Sequence, residues 1–449
     1  MPTTASPSAT EKKRRGQFFT RHRDVHEIMA SLVSHREGRG LEPSAGAGNL
    51  VAILEQQRPH LHIDAVEIDS RLERVCETPI TVGDFFAFSD GRDGTYDVVF
   101  GNPPYVSWKE VEDSTRASAS SVKSSYSDKT NLYHLFIDRC ADLLARGGEM
   151  VFIVPKEWLY LTSAAPLRNK LGRLGAITHF VDCGEENLFA DAAVPALLIF
   201  RWVRGAKQGS VSVAASTADA VGAAWTKGVL TASGERWMLV PGSLKPVIAG
   251  WGKLSDQFVV RVGLITGLDR VYKLGSARDV EPSCAQMQVD TTRQMVPFLN
   301  VNDFTALDAI PPKAAATLRA HEDELRARRI TRFHDGNWWR YGAVRNEEWM
   351  QSDDERFFGL VKTRSPEPFF TVPGAKYFTG GVLGVFRRDT ASVSVATAVR
   401  VLNAPAFRPV LEAMFLTSGN KVSLQPATLM DVPFPRSESD ALAFLESVN

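Results

Sequence analysis

In YDVVFGNPPYVSW, a strand-like apolar run ends at Gly101, and Asn102, Pro103, Pro104 and Tyr105 follow. Prolines lack an N–H and fix φ, so they end strands and stiffen turns. The chemistry that such a turn can do is chemistry on an amine. An exocyclic amine on an aromatic ring is a poor nucleophile, because its lone pair is delocalised into the ring. Two acceptors aimed at its two hydrogens favour a pyramidal nitrogen and expose that lone pair. The side-chain oxygen of Asn102 and the backbone carbonyl of Pro103 supply two acceptors, held ready by the prolines. Tyr105 offers a ring on which a base can stack. The bare tetrapeptide can equally be a plain loop, so its meaning rests on its neighbours.

Three neighbours carry compatible chemistry. Glu42-Pro43-Ser44-Ala45-Gly46-Ala47-Gly48 is a small-residue turn between a strand and a helix, where glycines let backbone approach a ligand. It lacks the lysine of a GxxxxGK[ST] phosphate loop. Glu67 ends the next strand, 19 residues after Gly48, where an acid can accept both hydroxyls of a ribose. Asp84 in GDFFAF can accept a hydrogen bond from an adenine amine, and Phe85 can cover the ring. Together these residues describe an adenosine site with no obvious place for phosphates.

The elements that must position these groups follow from periodicity. Residues 24–36 space Val25, Ile28, Met29, Leu32 and Val33 as one helix face, and residues 49–57 do the same with Leu50, Ile53 and Leu54. LHIDAVEID, YDVVFG, EMVFIVP and AITHFVDCG are strands; NLYHLFIDRCADLLARGG is a helix expected to stop at Gly147-Gly148, and AAPLRNKLGRLG is another helix. AVPALLIFRW is a last strand. Strands alternating with helices from about 40 to 182 predict an α/β fold, a parallel sheet covered by helices on both faces. Ligands of such sheets bind at the carboxyl ends of strands, so every unusual turn belongs to one rim. Residues 111–130, rich in Ser and charge, read as a mobile loop after the NPPY turn, either a connector or a cover for substrate. In its second half the chain changes character. The expected division is a flexible tail at 1–15, a catalytic domain at 16–203, a linker region at 204–245 and a mixed α+β domain with many short strands at 246–449.

Bulk properties narrow the class. The chain has 449 residues, 44% hydrophobic and 23% charged, which is ample for a large core. Lys and Arg total 52, as do Asp and Glu, but the acidic excess lies before Val203 and the basic excess after it, a hint of a polyanion partner for the second half. Four scattered cysteines with no CxxC or zinc spacing suit a reducing cytoplasm and no metal. The polar N-terminus has no apolar h-region, and no apolar run approaches a membrane span.

At this point the sequence resembles a known family, the amino-group DNA methyltransferases of the adenine-specific (N6) class, over about 16–203. GQFFT is similar to the family's N-terminal cofactor motif, which implies Thr20 near the methionine part of S-adenosylmethionine; Arg21 stands where the family often has proline. LEPSAGAGNL is similar to the cofactor loop, implying roles for Glu42, Ser44, Ala45, Gly46 and Gly48. VEID resembles the ribose acid (Glu67, with Ile68), and GDFF the adenine clamp (Asp84, Phe85). GNPPY matches the catalytic motif, implying Asn102, Pro103, Pro104 and Tyr105 as catalytic, Pro104 also against the cofactor, and Tyr105 against the target base. NLYHLFID resembles the helix bordering the cofactor, with Phe136 near the adenine, and NLFADAAVPALLIFR the motif whose Phe189 packs on the flipped base. The resemblance implies a Rossmann-like methyltransferase sheet, S-adenosylmethionine as cofactor, double-stranded DNA as partner and a restriction-modification setting, with a cognate endonuclease as genetic partner. It implies target recognition for 246–449, where Arg332, Lys362, Arg364 and Lys376 beside aromatics are candidate DNA contacts.

Cytosine N4 methylation, RNA methylation and glutamine methylation of proteins share the NPPY turn. A non-catalytic nucleic-acid-binding module is the rival from another class; intact Glu42, Glu67, Asp84 and the NPPY turn speak against it.

Overall fold

The computed structural model describes residues 23–184, 196–233, 236–242, 248–330, 333–414, 417–418 and 421–448. Two compact units result, Met1–Lys245 with Leu416–Gly419, and Pro246–Phe415 with Asn420–Asn449.

In the first unit, strands β1 (Glu37–Glu42), β2 (His60–Glu67), β3 (Ile80–Val82), β4 (Tyr96–Gly101) and β5 (Leu144–Pro155) lie in the order β3-β2-β1-β4-β5, all parallel. Their carboxyl ends therefore share one rim. Next to β5 comes β7 (Leu197–Arg204), antiparallel both to β5 and to β6 (Gly175–Gly184) on its other side. The last strand of the alternating pattern thus enters the sheet reversed.

Both faces are covered, as near-continuous apolar strands require. Successive strand residues point to opposite faces: Val98 and Phe100 join the core under the helices Arg23–Leu32 and Asn49–Gln57, while Val99 joins the core under Leu132–Leu143 and Ala165–Leu174. Asn131 caps the helix Leu132–Leu143, its side chain accepting from the Tyr133 N–H at 3.4 Å. That helix stops at Leu143, ahead of the expected Gly147-Gly148, because β5 begins at Leu144. The glycines sit instead in a register shift of β5 against β4, with Gly147 at φ 87°.

A buried ion pair fastens the sheet to its helical layer. Glu149 on β5 is fully buried and accepts from Arg201 Nε on β7 at 2.6 Å, from the backbone N–H groups of Ser34 and His35 at 2.6 and 2.9 Å, and from the Ser34 hydroxyl at 2.9 Å. Breaking a buried pair strands its partner. Glu149→Ala is expected to cost roughly 3 kcal/mol in urea denaturation with an unchanged m-value; a change below about 0.5 kcal/mol contradicts this assignment.

Two expectations are corrected here. Residues 204–245, expected as a linker region, contain β8 (Ser210–Ala214), β9 (Thr226–Ser233) and β10 (Arg236–Pro241), which extend the sheet to ten strands in the order β10-β9-β8-β6 at that end. Met238 and Val240 are buried, and Trp237 and Leu239 pack against the core, so an extension that joins β6 in parallel and then runs antiparallel hides in a polar sequence. Residues 111–130, read as a mobile loop, form the short helices Asp113–Ser118 and Ser120–Lys123, with Val111, Ala119 and Tyr126 buried. The Tyr126 hydroxyl donates to Asp138 at 2.7 Å, tying the segment to the helix that follows.

The second unit is mixed α+β. Phe258–Val262, Val382–Arg387, Arg356–Leu360 and Phe369–Phe370 form an antiparallel sheet, and Met295–Leu299, Ala285–Val289 and Tyr377–Phe378 a mixed one, with Ala285–Val289 antiparallel to the first of these and parallel to the last. The aromatic pairs beside basic residues make much of its core: Trp338, Trp339, Phe357, Phe358 and Phe378 are buried, and Arg356 lies over Phe386 with its carbon 4.7 Å from the ring centre. Among the described residues, no helix of the chain is long and apolar enough to cross a membrane.

Candidate active site

The four rim turns meet in one cleft. From the end of β1, the chain turns through Pro43–Gly48 into the helix Asn49–Gln57. Ala45 N–H bonds to Val66 C=O at 2.8 Å, anchoring the turn on β2. Gly46 (φ 57°) points its N–H at Glu67 Oε2, 2.8 Å away. Gly48 (φ 89°) starts the helix where a Cβ would lie 2.4 Å from Cys76 Sγ, so no larger residue fits.

Glu67 is buried, with Oε2 held by Gly46 and Oε1 by the Asp69 N–H at 2.9 Å. Burial raises its carboxyl above the usual range, partly offset by these two N–H bonds. Each oxygen keeps capacity for one further donor, which suits two adjacent hydroxyls. Ile68, 44% exposed, lines the cleft beside it.

Asp84 caps the one-turn helix Phe85–Phe88, its Oδ1 accepting from Phe86 and Ala87 N–H at 2.9 and 3.1 Å. Phe85 and Phe136 stack on each other, with ring centres 4.7 Å apart, and both line the cleft as an apolar wall.

Asn102 and Pro104 line the same cleft. The Ser44 hydroxyl donates to the Asn102 carbonyl at 3.1 Å, so the first turn holds the NPPY turn in place. Gly101 has φ 152°, and a Cβ there would sit 2.0 Å from Glu42 Oε1. Pro103 is buried. Half-buried Tyr105 donates its hydroxyl to Ile153 C=O at 2.9 Å and meets Tyr133 edge-on, which fixes the ring. It is not among the residues lining the cleft.

Glu42 is buried beneath this turn, and burial pushes its carboxyl well above the usual range, with Glu67 adding to the rise. A carboxyl raised on folding holds a proton that the unfolded chain releases. Between its unfolded and folded values the native state therefore binds more protons, and stability falls as pH rises. Glu42→Gln, neutral throughout, is expected to raise the melting temperature more at pH 8 than at pH 4 relative to wild type; an equal shift at both contradicts the assignment.

Of the other expected positions, Thr20, Phe189 and Arg332 lie outside the described residues. Lys362 and Arg364 are exposed, and exposed Lys376 pairs with Asp353 at 3.0 Å. The cleft also takes in residues that the sequence did not single out. His26 and Met29 come from the first helix, where Met29 reads only as part of a core face. Val111, Glu112 and Thr115 come from the segment read as a loop.

Comparison with known proteins fits this geometry. Residues 53–189 match the model of the Eco57I restriction-modification methylase family. The type II methyltransferase M.HindII of Haemophilus influenzae is 19% identical over 94% of this chain and 89% of its own length. M.XhoI of Xanthomonas vasicola is 27% identical over 73% of this chain and 74% of its own. M.TthHB8I of Thermus thermophilus is 32% identical over 39% and 42%, respectively. Among solved structures, the type IIL restriction-modification enzyme MmeI, in complex with DNA, is similar in fold, with a TM-score of 0.57 and 11% identity, covering 98% of this chain and 68% of that one. The sheet with its reversed strand and the turns gathered at one rim agree with these likenesses: residues 53–189 are similar to the Eco57I restriction-modification methylase family, and the longer chain is similar to type II methyltransferases.

Proposed function

We propose that this chain transfers a methyl group to the N6 amine of an adenine flipped out of double-stranded DNA. The observation that carries the proposal is that Glu67, Asp84 and Asn102 line one cleft at the carboxyl ends of parallel strands. S-adenosylmethionine, when bound, supplies the methyl group. Glu67 accepts from the ribose hydroxyls through the free capacity of its two oxygens. Asp84 accepts from the adenine amine of the cofactor, and Phe85 with Phe136 provides an apolar wall for the ring. The backbone turn Pro43–Gly48, closed by small residues, lets the cofactor lie against the chain.

On the substrate side, Asn102 Oδ1 and the Pro103 carbonyl accept the two hydrogens of the target amine. The nitrogen becomes pyramidal and its lone pair is freed. Because the turn is anchored by Ser44, it pays no reorganisation cost as charge develops. Tyr105 and Phe189 stack on the base. The second unit, including Lys362 and Arg364, reads the target sequence, and a cognate endonuclease is the genetic partner.

The test is incubation with labelled S-adenosylmethionine and unmethylated plasmid, then digestion to nucleosides. Label in N6-methyl-2′-deoxyadenosine is expected. Label in N4-methylcytosine would move the reading to the other exocyclic amine, and label only in RNA or protein would overturn it.

A further inference from the structure

We propose that Thr115 and Ser118, on the segment that follows the NPPY turn, are positioning residues that make the cleft selective for a purine carrying a 6-amino group. The inference rests on the cofactor reading above and extends it to residues no motif marks.

The Ser118 hydroxyl donates to Asp84 Oδ1 at 2.7 Å, and the Thr115 hydroxyl to Asp84 Oδ2 at 2.8 Å. Oδ1 thus receives three donors, counting the N–H groups of Phe86 and Ala87, while Oδ2 receives Thr115 alone. A carboxylate oxygen offers about two lone-pair directions. The carboxylate is therefore clamped at one oxygen and holds one direction open at the other. Thr115 itself is buried and lines the cleft.

The segment is built to hold these hydroxyls still. It leaves the NPPY turn at Val106 and returns at Leu132, whose N–H bonds to Val106 C=O at 2.8 Å; Trp108 N–H bonds to Thr130 C=O at 3.1 Å. Inside this closed loop, Arg116 donates to the Trp108 carbonyl at 3.1 Å and Val111 and Ala119 are buried. Two hydroxyls on a pinned loop fix the Asp84 carboxylate in one rotamer. Its open lone pair then accepts from an amine and opposes a carbonyl at the same ring position. A site built to hydrogen-bond one group rejects the analogue that lacks it far more strongly than an apolar pocket does.

The experiment measures binding of S-adenosylhomocysteine and S-inosylhomocysteine to the full chain by calorimetry. Wild type should prefer the adenosyl ligand by roughly 100-fold, and Thr115→Val with Ser118→Ala should reduce that preference by about tenfold. Thr115→Ser, which keeps the hydroxyl, should retain it. Equal weakening of both ligands, with the preference unchanged, would mean that the hydroxyls only support the fold, and overturns the proposal. The same measurement on Ser118→Ala alone guards against a double variant that fails to fold; an unchanged preference in both Ser118→Ala and Thr115→Val also overturns it. Wild type that binds neither ligand overturns the cofactor reading, and this inference with it.

Discussion

Asn102→Ala is expected to lower the single-turnover rate of methyl transfer by roughly 1,000-fold or more, while S-adenosylmethionine affinity stays within about threefold. On the proposed function, the alanine removes one of the two acceptors for the target amine and leaves the lone pair in the ring. It keeps the backbone carbonyl that Ser44 binds, so the turn and the cofactor loop remain joined. Loss of a preorganised polar group that acts on developing charge shows in kcat and kcat/KM together. Rapid-quench kinetics with DNA, and calorimetry without it, measure the two effects separately. A variant that loses cofactor binding in proportion to activity would show that Asn102 supports the cleft and does not act on the amine.

Gly101→Ala is expected to destabilise the chain by roughly 3–5 kcal/mol. Two costs combine. At φ 152°, the backbone is in a region L residues rarely adopt, and the new Cβ would stand 2.0 Å from Glu42 Oε1 and 2.7 Å from its Cδ. Glu42 is buried and has little room to retreat. Adding Glu42→Ala to the same chain should recover the part due to the clash but not the part due to φ. Urea denaturation of wild type, the single variants and the double variant separates the two. A Gly101→Ala chain as stable as wild type would contradict the tight stacking of the NPPY turn on Glu42.

The gathering of Glu42, Glu67, Asp84 and Asn102 at one cleft was legible in the sequence because each sits at or just after the end of a strand. A Glu at a strand end, a Gly-rich turn and an Asp before a pair of Phe residues each carry a local signal, and parallel strands bring such ends to one rim. What stayed hidden depends on tertiary context. Thr115 and Ser118 sit in a polar stretch whose few apolar residues, Val111, Ala119 and Tyr126, are enough to dock it. The strands between Ser210 and Pro241 are short and interleave few large apolar residues with Ser, Thr, Gly and charge, so their composition reads as a linker. The reversal of β7 between β5 and β6 leaves no mark on periodicity. In the second unit, the aromatic and basic pairs suggested a DNA surface. The rings of Trp338, Trp339 and Phe358 are core and Arg356 directs its guanidinium to backbone carbonyls such as Met350 C=O at 3.0 Å, while Lys362, Arg364 and Lys376, the candidate contacts, are exposed. Which side chains enter a groove is a property of surface geometry that spacing alone does not encode.

On the proposed function, this chain alone directs methylation to the N6 amine of adenine within one short DNA sequence. Single-molecule sequencing of plasmid from a methylation-deficient host expressing the chain tests it most directly. The account predicts N6-methyladenine at every copy of one recognition sequence, and none in a host expressing Asn102→Ala. Modified cytosine, or plasmid with no modified base despite soluble, cofactor-binding protein, would contradict it.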